Sequence, residues 1–153
     1  MALFIDTFTN KVDRKGRVSV PAPFRAALAG NAFHGIVAFP SFKFPAIQCA
    51  GLDWMAELLA EMNNVERFSD AHDDLTAVLF GDAKQLPFDG EGRILLPPRL
   101  VEHAGLSDLA AFVGRGPSFE VWEPQALDRH KAEARRRALE TGRTLRRRPE
   151  PQS

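Results

Sequence analysis

Asp13-Arg14-Lys15-Gly16-Arg17-Val18-Ser19-Val20-Pro21 recurs in altered form as Asp89-Gly90-Glu91-Gly92-Arg93-Ile94-Leu95-Leu96-Pro97. Each copy reads D-x-x-G-R, three strand-type residues, then proline. At a constant offset of 76 positions Asp13, Gly16, Arg17 and Pro21 meet identical residues, while Val18 and Val20 meet Ile94 and Leu96. Six matches in nine positions mark an internal duplication. In each copy a glycine-bearing turn is followed at once by an arginine that opens a strand, which places a guanidinium at the mouth of a hairpin. Two arginines presented so rigidly suit an anionic, repetitive ligand, and DNA is the leading candidate.

The surrounding elements repeat as well. Residues 4–12 are rich in Phe, Ile, Thr and Val and read as a strand, with the turn at 13–16 and a return strand at 17–20 whose Val18 and Val20 share one face. Pro21 and Pro23 stop the strand and start a short helix, along which Phe24, Ala27 and Leu28 make an apolar stripe that Gly30 closes. Strands at 35–39 and 46–50 follow, the latter with Ile47 and Cys49 on one side and Gln48 on the other. The second copy gives strands at 84–88 and 93–96, a helix at 100–104 ended by Gly105, and strands at 110–114 and 119–122. Between the copies, 54–62 and 70–80 read as helices behind caps at Asp53 and Ser69. After Pro124 a helix is expected over 125–139. The end, with Arg146-Arg147-Arg148-Pro149, has no apolar partners and reads as a mobile tail. The fold class is α+β, divided into repeat 1 at 5–52, connecting helices at 53–80, repeat 2 at 81–124, and a C-terminal helix with a basic tail at 125–153.

The 153 residues carry a formal net charge of zero, an average that hides strong asymmetry. From Arg129 onward nine Lys/Arg stand against three Asp/Glu. Residues 53–91 hold ten acids against Arg67 and Lys84, whereas residues 1–30 hold five basic residues against Asp6 and Asp13. A basic face and tail on an acidic body follow, with the acidic stretch turned away from DNA. Cys49 is the only cysteine, which excludes an intrachain disulfide and a thiolate zinc site within one chain. No metal or cofactor is expected. The first residues lack the basic-then-apolar pattern of a secretory signal, and no apolar run approaches the ~20 residues that span a bilayer. A cytoplasmic, nucleoid-associated protein is the expectation.

Arginine's planar fork bonds two acceptors at once, as phosphate oxygens or as O6 and N7 of guanine in the major groove. Asp13 and Asp89, each four residues before its arginine, are placed to accept from Arg17 and Arg93 and to orient them. Arg14 and Lys15 add phosphate-type charge to the first copy. Gly90 and Glu91 occupy those positions in the second, which should be the weaker electrostatic partner. Asp-to-Arg across a tight turn also stitches hairpins that bind nothing, and Gly16 and Gly92 serve such a turn equally well. Duplication, together with the basic N-terminal segment, favours the functional reading.

The doubled D-x-x-G-R…P motif, the short helix after each copy, Trp122-Glu123 after the last strand and a helical tail resemble the MraZ family of bacterial transcriptional regulators over about residues 3–140. Single-copy AbrB-type proteins share the fold but carry one such half and dimerise. The resemblance implies two AbrB-like half-domains in a compact, β-rich, barrel-like core, assembled into a ring-shaped homo-oligomer. It implies a sequence-specific DNA-binding regulator, expected as a repressor, acting on direct repeats upstream of the division and cell wall gene cluster that includes its own gene. The family's DNA-contacting arginine corresponds to Arg17 and, through the internal repeat, to Arg93. Glu91 at the motif's lysine position and the arginine-rich end depart from the family pattern.

Two rivals stand against this reading. An enzyme would need convergent chemistry, but His34, His72, His103 and His130 fall in different predicted elements, and the neighbours His72, Asp73 and Asp74 point apart on a helix. Cys49 reads as a buried small hydrophobe. An AbrB-like protein-binding module of antitoxin type is the second rival. Those modules are usually single-copy with a long disordered arm, whereas this tail is short and basic.

Overall fold

In both copies proline converts strand into helix. Pro21 and Pro97 sit at N-cap positions with φ of −52° and −59°, and a second proline occupies the first helical turn, where its missing N–H leaves no bond unmade. The computed structural model describes residues 2–62 and 66–141. The order is β1 (Thr7–Lys11), β2 (Arg17–Ser19), α1 (Ala22–Ala27), β3 (Gly35–Pro40), β4 (Ala46–Ala50), α2 (Leu52–Met62), α3 (Asp70–Thr76) running into a π turn (Ala77–Gly81), β5 (Lys84–Pro87), β6 (Arg93–Leu95), α4 (Pro98–Ala104), β7 (Leu109–Gly114), β8 (Phe119–Trp122) and α5 (Pro124–Thr141). Arg143 and Arg146 to Arg148, the expected mobile tail, lie outside the described residues.

The strands form a six-stranded antiparallel sheet in the order β1-β7-β8-β4-β3-β5 and a separate ribbon, β2-β6. The two sequence copies are interleaved: β1 pairs with β7, β3 with β5, β4 with β8 and β2 with β6. Exchanging the copies reproduces the strand order in reverse, so a pseudo-twofold axis runs through the molecule. On the ribbon Val18 faces its own counterpart Ile94, and in the sheet Gln48 faces Glu120.

This topology corrects the expected hairpins. Residues 4–12 do not form one strand laddered to 17–20. Asp6 breaks the segment with φ of 82°, and in place of a ladder the two arms are joined by the Val12–Val18 bridge, the Asp13–Arg17 backbone bond of 2.9 Å and a bond of 2.7 Å from Asn10 Nδ2 to Ser19 O. The physical cause is burial. Val18 and Ile94 are both 1% exposed, and pairing β2 with β6 lets both side chains cover the sheet while the short strands satisfy each other's backbone. The α+β class holds as expected, with the barrel-like core left open at the sheet edges β1 and β5.

Three layers result. The ribbon, α1 and α4 cover one face of the sheet, and α2, α3 and α5 cover the other. Ile36 and Ala38 of β3 enter the first core, whereas Val37 and Phe39 enter a cluster with Met55, Met62 and Leu79. Likewise Ala110 and Phe112 of β7 face the first core, and Ala111 and Val113 pack with Trp122 and Leu127 under α5. Burial on both faces explains why these strands are apolar at nearly every position. The first core binds the copies together, because Phe24 packs edge-on to Phe4 at 5.3 Å and against Phe119 at 4.9 Å.

The starts of α3 and α5 are capped by local side chains, whereas the expected cap of α2 is replaced by a distant one. Ser69 Oγ accepts from His72 N at 3.2 Å as its position predicts, and Glu123 accepts from Gln125 N and Ala126 N at 3.1 and 2.8 Å. Asp53 lies inside the first turn of α2 and does not cap it. Asn31 Oδ1, delivered from the loop after α1, accepts from Asp53 N at 3.0 Å. Among the described residues no helix is long and apolar enough to cross a membrane.

Candidate nucleic-acid interface

Each D-x-x-G-R turn is built around its aspartate. Oδ1 of Asp13 accepts from the backbone N–H of Lys15 and Arg17 at 2.9 and 2.8 Å, which closes the turn, while Oδ2 takes Arg17 Nε at 2.7 Å. Asp89 does the same with Glu91 N and Arg93 N, both at 2.9 Å, and with Arg93 Nε at 2.8 Å. Gly16 and Gly92 hold φ of 89° and 76°, which only glycine adopts without strain. Three donors of each motif are thereby tied to one carboxylate. The backbone N–H of Arg17 is the main cause that holds Asp13 below the usual carboxylate range, and that of Arg93 does so for Asp89. The Asp89 hydrogen bond in turn holds the Arg93 guanidinium above its ordinary value.

The ribbon then sets where the arginines point. Arg17 lies opposite Leu95, Val18 opposite Ile94 and Ser19 opposite Arg93. Residues paired across a ladder share a face and alternate residues along a strand share a face, so Arg17, Ser19, Arg93 and Leu95 all project outward, away from the buried Val18 and Ile94. Arg17 and Arg93 stand diagonally, at a spacing of roughly 7–8 Å in an ordinary ladder. The ribbon is braced at both ends: Leu96 N donates to Gly16 O at 2.9 Å and Val20 N donates to Gly92 O at 3.1 Å.

The two arginines differ in their surroundings. Arg17 is bound only through Nε, and its terminal nitrogens meet no acceptor among the described residues. Arg93 NH1 also approaches Glu91 Oε2 at 3.7 Å. Arg14 and Lys15 are exposed beside Arg17, where the second turn has Gly90 and Glu91. The structure thus brings Arg14, Lys15, Arg17 and Arg93 to one end of the molecule, with Asp13, Gly16, Asp89 and Gly92 beneath them. The acidic helices α2 and α3 lie on the opposite side of the sheet.

Three residues at this face carry no strong sequence signal. Ser19 and Leu95 join it through the β2–β6 register, and Arg25 reaches it from α1. The histidines are used elsewhere: His130 stacks on Trp122 at 4.7 Å, His103 Nε2 meets Phe44 O at 3.2 Å, and His34 packs edge-on to Phe88 at 5.2 Å. Cys49 is fully buried, and burial pushes its thiol far above the usual range. Among the described residues no cluster of His, Cys, Asp and Glu could hold a metal ion.

Fold and site together define an interleaved, duplicated α+β protein that displays two aspartate-braced arginines on an exposed ribbon. Residues 79–147 match the family model described as "MraZ protein, putative antitoxin-like". The chain is 42% identical over 147 residues to the transcriptional regulator MraZ of Rickettsia bellii (strain OSU 85-389), spanning 95% of this chain and 98% of that protein. It is 40% identical over 146 residues to the transcriptional regulator MraZ of Rickettsia akari (strain Hartford), with the same shares covered. This chain belongs to the MraZ family, a family of transcriptional regulators and not of enzymes.

Proposed function

We propose that the protein is a sequence-specific DNA-binding regulator that reads a promoter duplex with the outer face of the β2–β6 ribbon. The observation that carries this reading is the pair Arg17 and Arg93 on one exposed face, each fixed at Nε, with the terminal fork of Arg17 free and one terminal nitrogen of Arg93 shared with Glu91. A two-stranded ribbon fits a major groove about 12 Å wide, where such a fork bonds O6 and N7 of guanine. Arg14 and Lys15 supply phosphate contacts beside Arg17, which makes Arg17 the stronger contact and Arg93 the weaker.

The finer reading follows the family resemblance. Half-domains at 5–52 and 81–124 form the DNA-binding unit, and several chains assemble head to tail into a ring. Such a ring presents the same ribbon repeatedly in one orientation, which suits direct repeats about one helical turn apart. Subunits that each bind weakly then bind firmly together. The proposed targets are the division and cell wall gene cluster and the protein's own promoter, with repression as the outcome and the nucleoid as the location. The antitoxin-type reading draws support from the description of the matched family model, and would put a protein partner in place of DNA.

Titration of a labelled duplex from the gene's own upstream region, against a shuffled duplex and over a range of salt, tests the proposal. Preference for the upstream duplex is expected, with log affinity falling by about 0.9 per phosphate contact for each unit of log salt. Equal binding to both duplexes, or a flat salt response, would overturn it and favour a protein partner. Light scattering of the free protein tests the ring.

A further inference from the structure

The second turn is short of positive charge in sequence. Asp89, Glu91 and Arg93 sum to −1, against +2 for Asp13, Arg14, Lys15 and Arg17. Folding changes this, because Arg25 of α1, which belongs to the first copy, lies over Gly92. A Cβ on Gly92 would fall 2.7 Å from Arg25 Cζ, so the guanidinium occupies the space that the glycine leaves. Gly92 is accordingly buried in an otherwise exposed turn, whereas Gly16 is only half-buried.

Val20 links Arg25 to Gly92 through its two backbone groups. Its carbonyl accepts from Arg25 Nε at 3.1 Å, and its N–H donates to Gly92 O at 3.1 Å. Nε is therefore spent on the protein, as it is in Arg17 and Arg93, and the terminal nitrogens are left beside the second turn. Arg25 enters no ion pair among the described residues and remains exposed. Its counterpart in the second copy is Val101, which packs on the main core, so that position supplies the first turn with no arginine.

We infer that Arg25 is a phosphate-binding residue of the second turn, supplied across the pseudo-twofold axis by the first copy. The inference rests on the reading of the ribbon as a DNA face. An arginine anchored at Nε over Gly92, the residue before Arg93, offers its fork to a backbone phosphate flanking the base that Arg93 meets. It raises the local charge from −1 to zero and offsets Glu91. The first turn carries its phosphate contacts in its own sequence and has no need of one from α4.

Affinity and salt slope for the upstream and shuffled duplexes should be compared between the parent, Arg25→Ala and Arg25→Lys, with folding followed by circular dichroism. A phosphate contact predicts that Arg25→Ala weakens both duplexes by the same factor and reduces the salt slope by about 1 per engaged subunit. Arg25→Lys, which keeps the charge but not the planar bond to Val20, should restore the slope. A slope unchanged in Arg25→Ala, or one that lysine fails to restore, overturns the inference and leaves Arg25 as a strut for the Val20 carbonyl. Should Arg25→Ala fail to fold, Arg25→Gln serves the same comparison. A parent that binds no duplex overturns the ribbon reading together with Arg25's role, whereas a parent that binds with an unmoved slope overturns only the latter.

Discussion

Arg17 and Arg93 stand on one face of a single ribbon although they come from strands 76 residues apart, Arg17 opposite Leu95 and Arg93 opposite Ser19. The consequence is that neither turn is an independent reading head. Each arginine is oriented by its own aspartate, but the distance and angle between the two are set by pairing across the copies. A change in one strand therefore moves both.

Arg17→Ala should lower affinity for the upstream duplex by about 1–3 kcal/mol per engaged subunit, as for a lost bidentate base contact. Arg93→Ala should cost less, because Glu91 already competes for one of its terminal nitrogens. Fluorescence anisotropy on proteins whose assembly is unchanged measures both. Equal losses would show that the two turns contribute alike.

Asp13→Asn should leave the thermal midpoint near pH 7 almost unmoved, since exposed ion pairs contribute little to stability. DNA affinity should fall, because Arg17 regains rotamers that the carboxylate suppresses. The carboxyls of Asp13 and Asp89 are held below their unfolded value of about 3.9. Their contribution is thus complete above that pH and is lost as pH falls through the folded values. Denaturation curves of the double variant Asp13→Asn/Asp89→Asn should parallel the parent's between about pH 5 and 8 and show a shallower acid loss below about pH 4. An unchanged acid limb would count against these two groups.

Gly16→Ala should destabilise by roughly 1–2 kcal/mol through its positive φ. The new Cβ would also lie 3.2 Å from Leu96 O, the partner strand's backbone. Gly90→Ala, in the other turn, meets nothing within 4 Å and should be neutral in the same urea titration. Equal midpoints for the two variants would show that the Gly16 turn tolerates a side chain.

Phe24→Ala should cost about 3–5 kcal/mol, the range for an aromatic ring removed from a packed core. Its ring touches Phe4 and Phe8 of the first copy and Phe119 of the second. Unfolding followed by far-ultraviolet circular dichroism and by tryptophan fluorescence should give one coincident transition in parent and variant. Two separated transitions would refute a core shared between the copies.

Much of the local structure was legible in the chain. The strands at Ala46–Ala50 and Phe119–Trp122 and the Ser69 cap lie where residue type and spacing put them. So do the two proline-initiated helices. The partners of the strands were not legible. A hairpin reading of 4–20 follows from sequence proximity, yet β1 crosses to β7 because the apolar side chains of β2 are buried only when it pairs with β6. Asp53 offered a cap by position, and Asn31, 22 residues earlier, supplies it. Contacts of that span leave no periodicity to read.

The sequence by itself determined the duplication, the two glycine turns with their aspartate–arginine pairs, and the family to which the chain belongs. These are short-range features, set by φ at Gly16 and Gly92 and by a four-residue reach from carboxylate to guanidinium. The tertiary structure alone decided that Arg17 and Arg93 share one face and that Arg25 of one copy sits on the turn of the other. Burial is the physical reason: Val18 and Ile94 leave water together only when the copies interleave, and that single packing choice brings the three arginines to one surface.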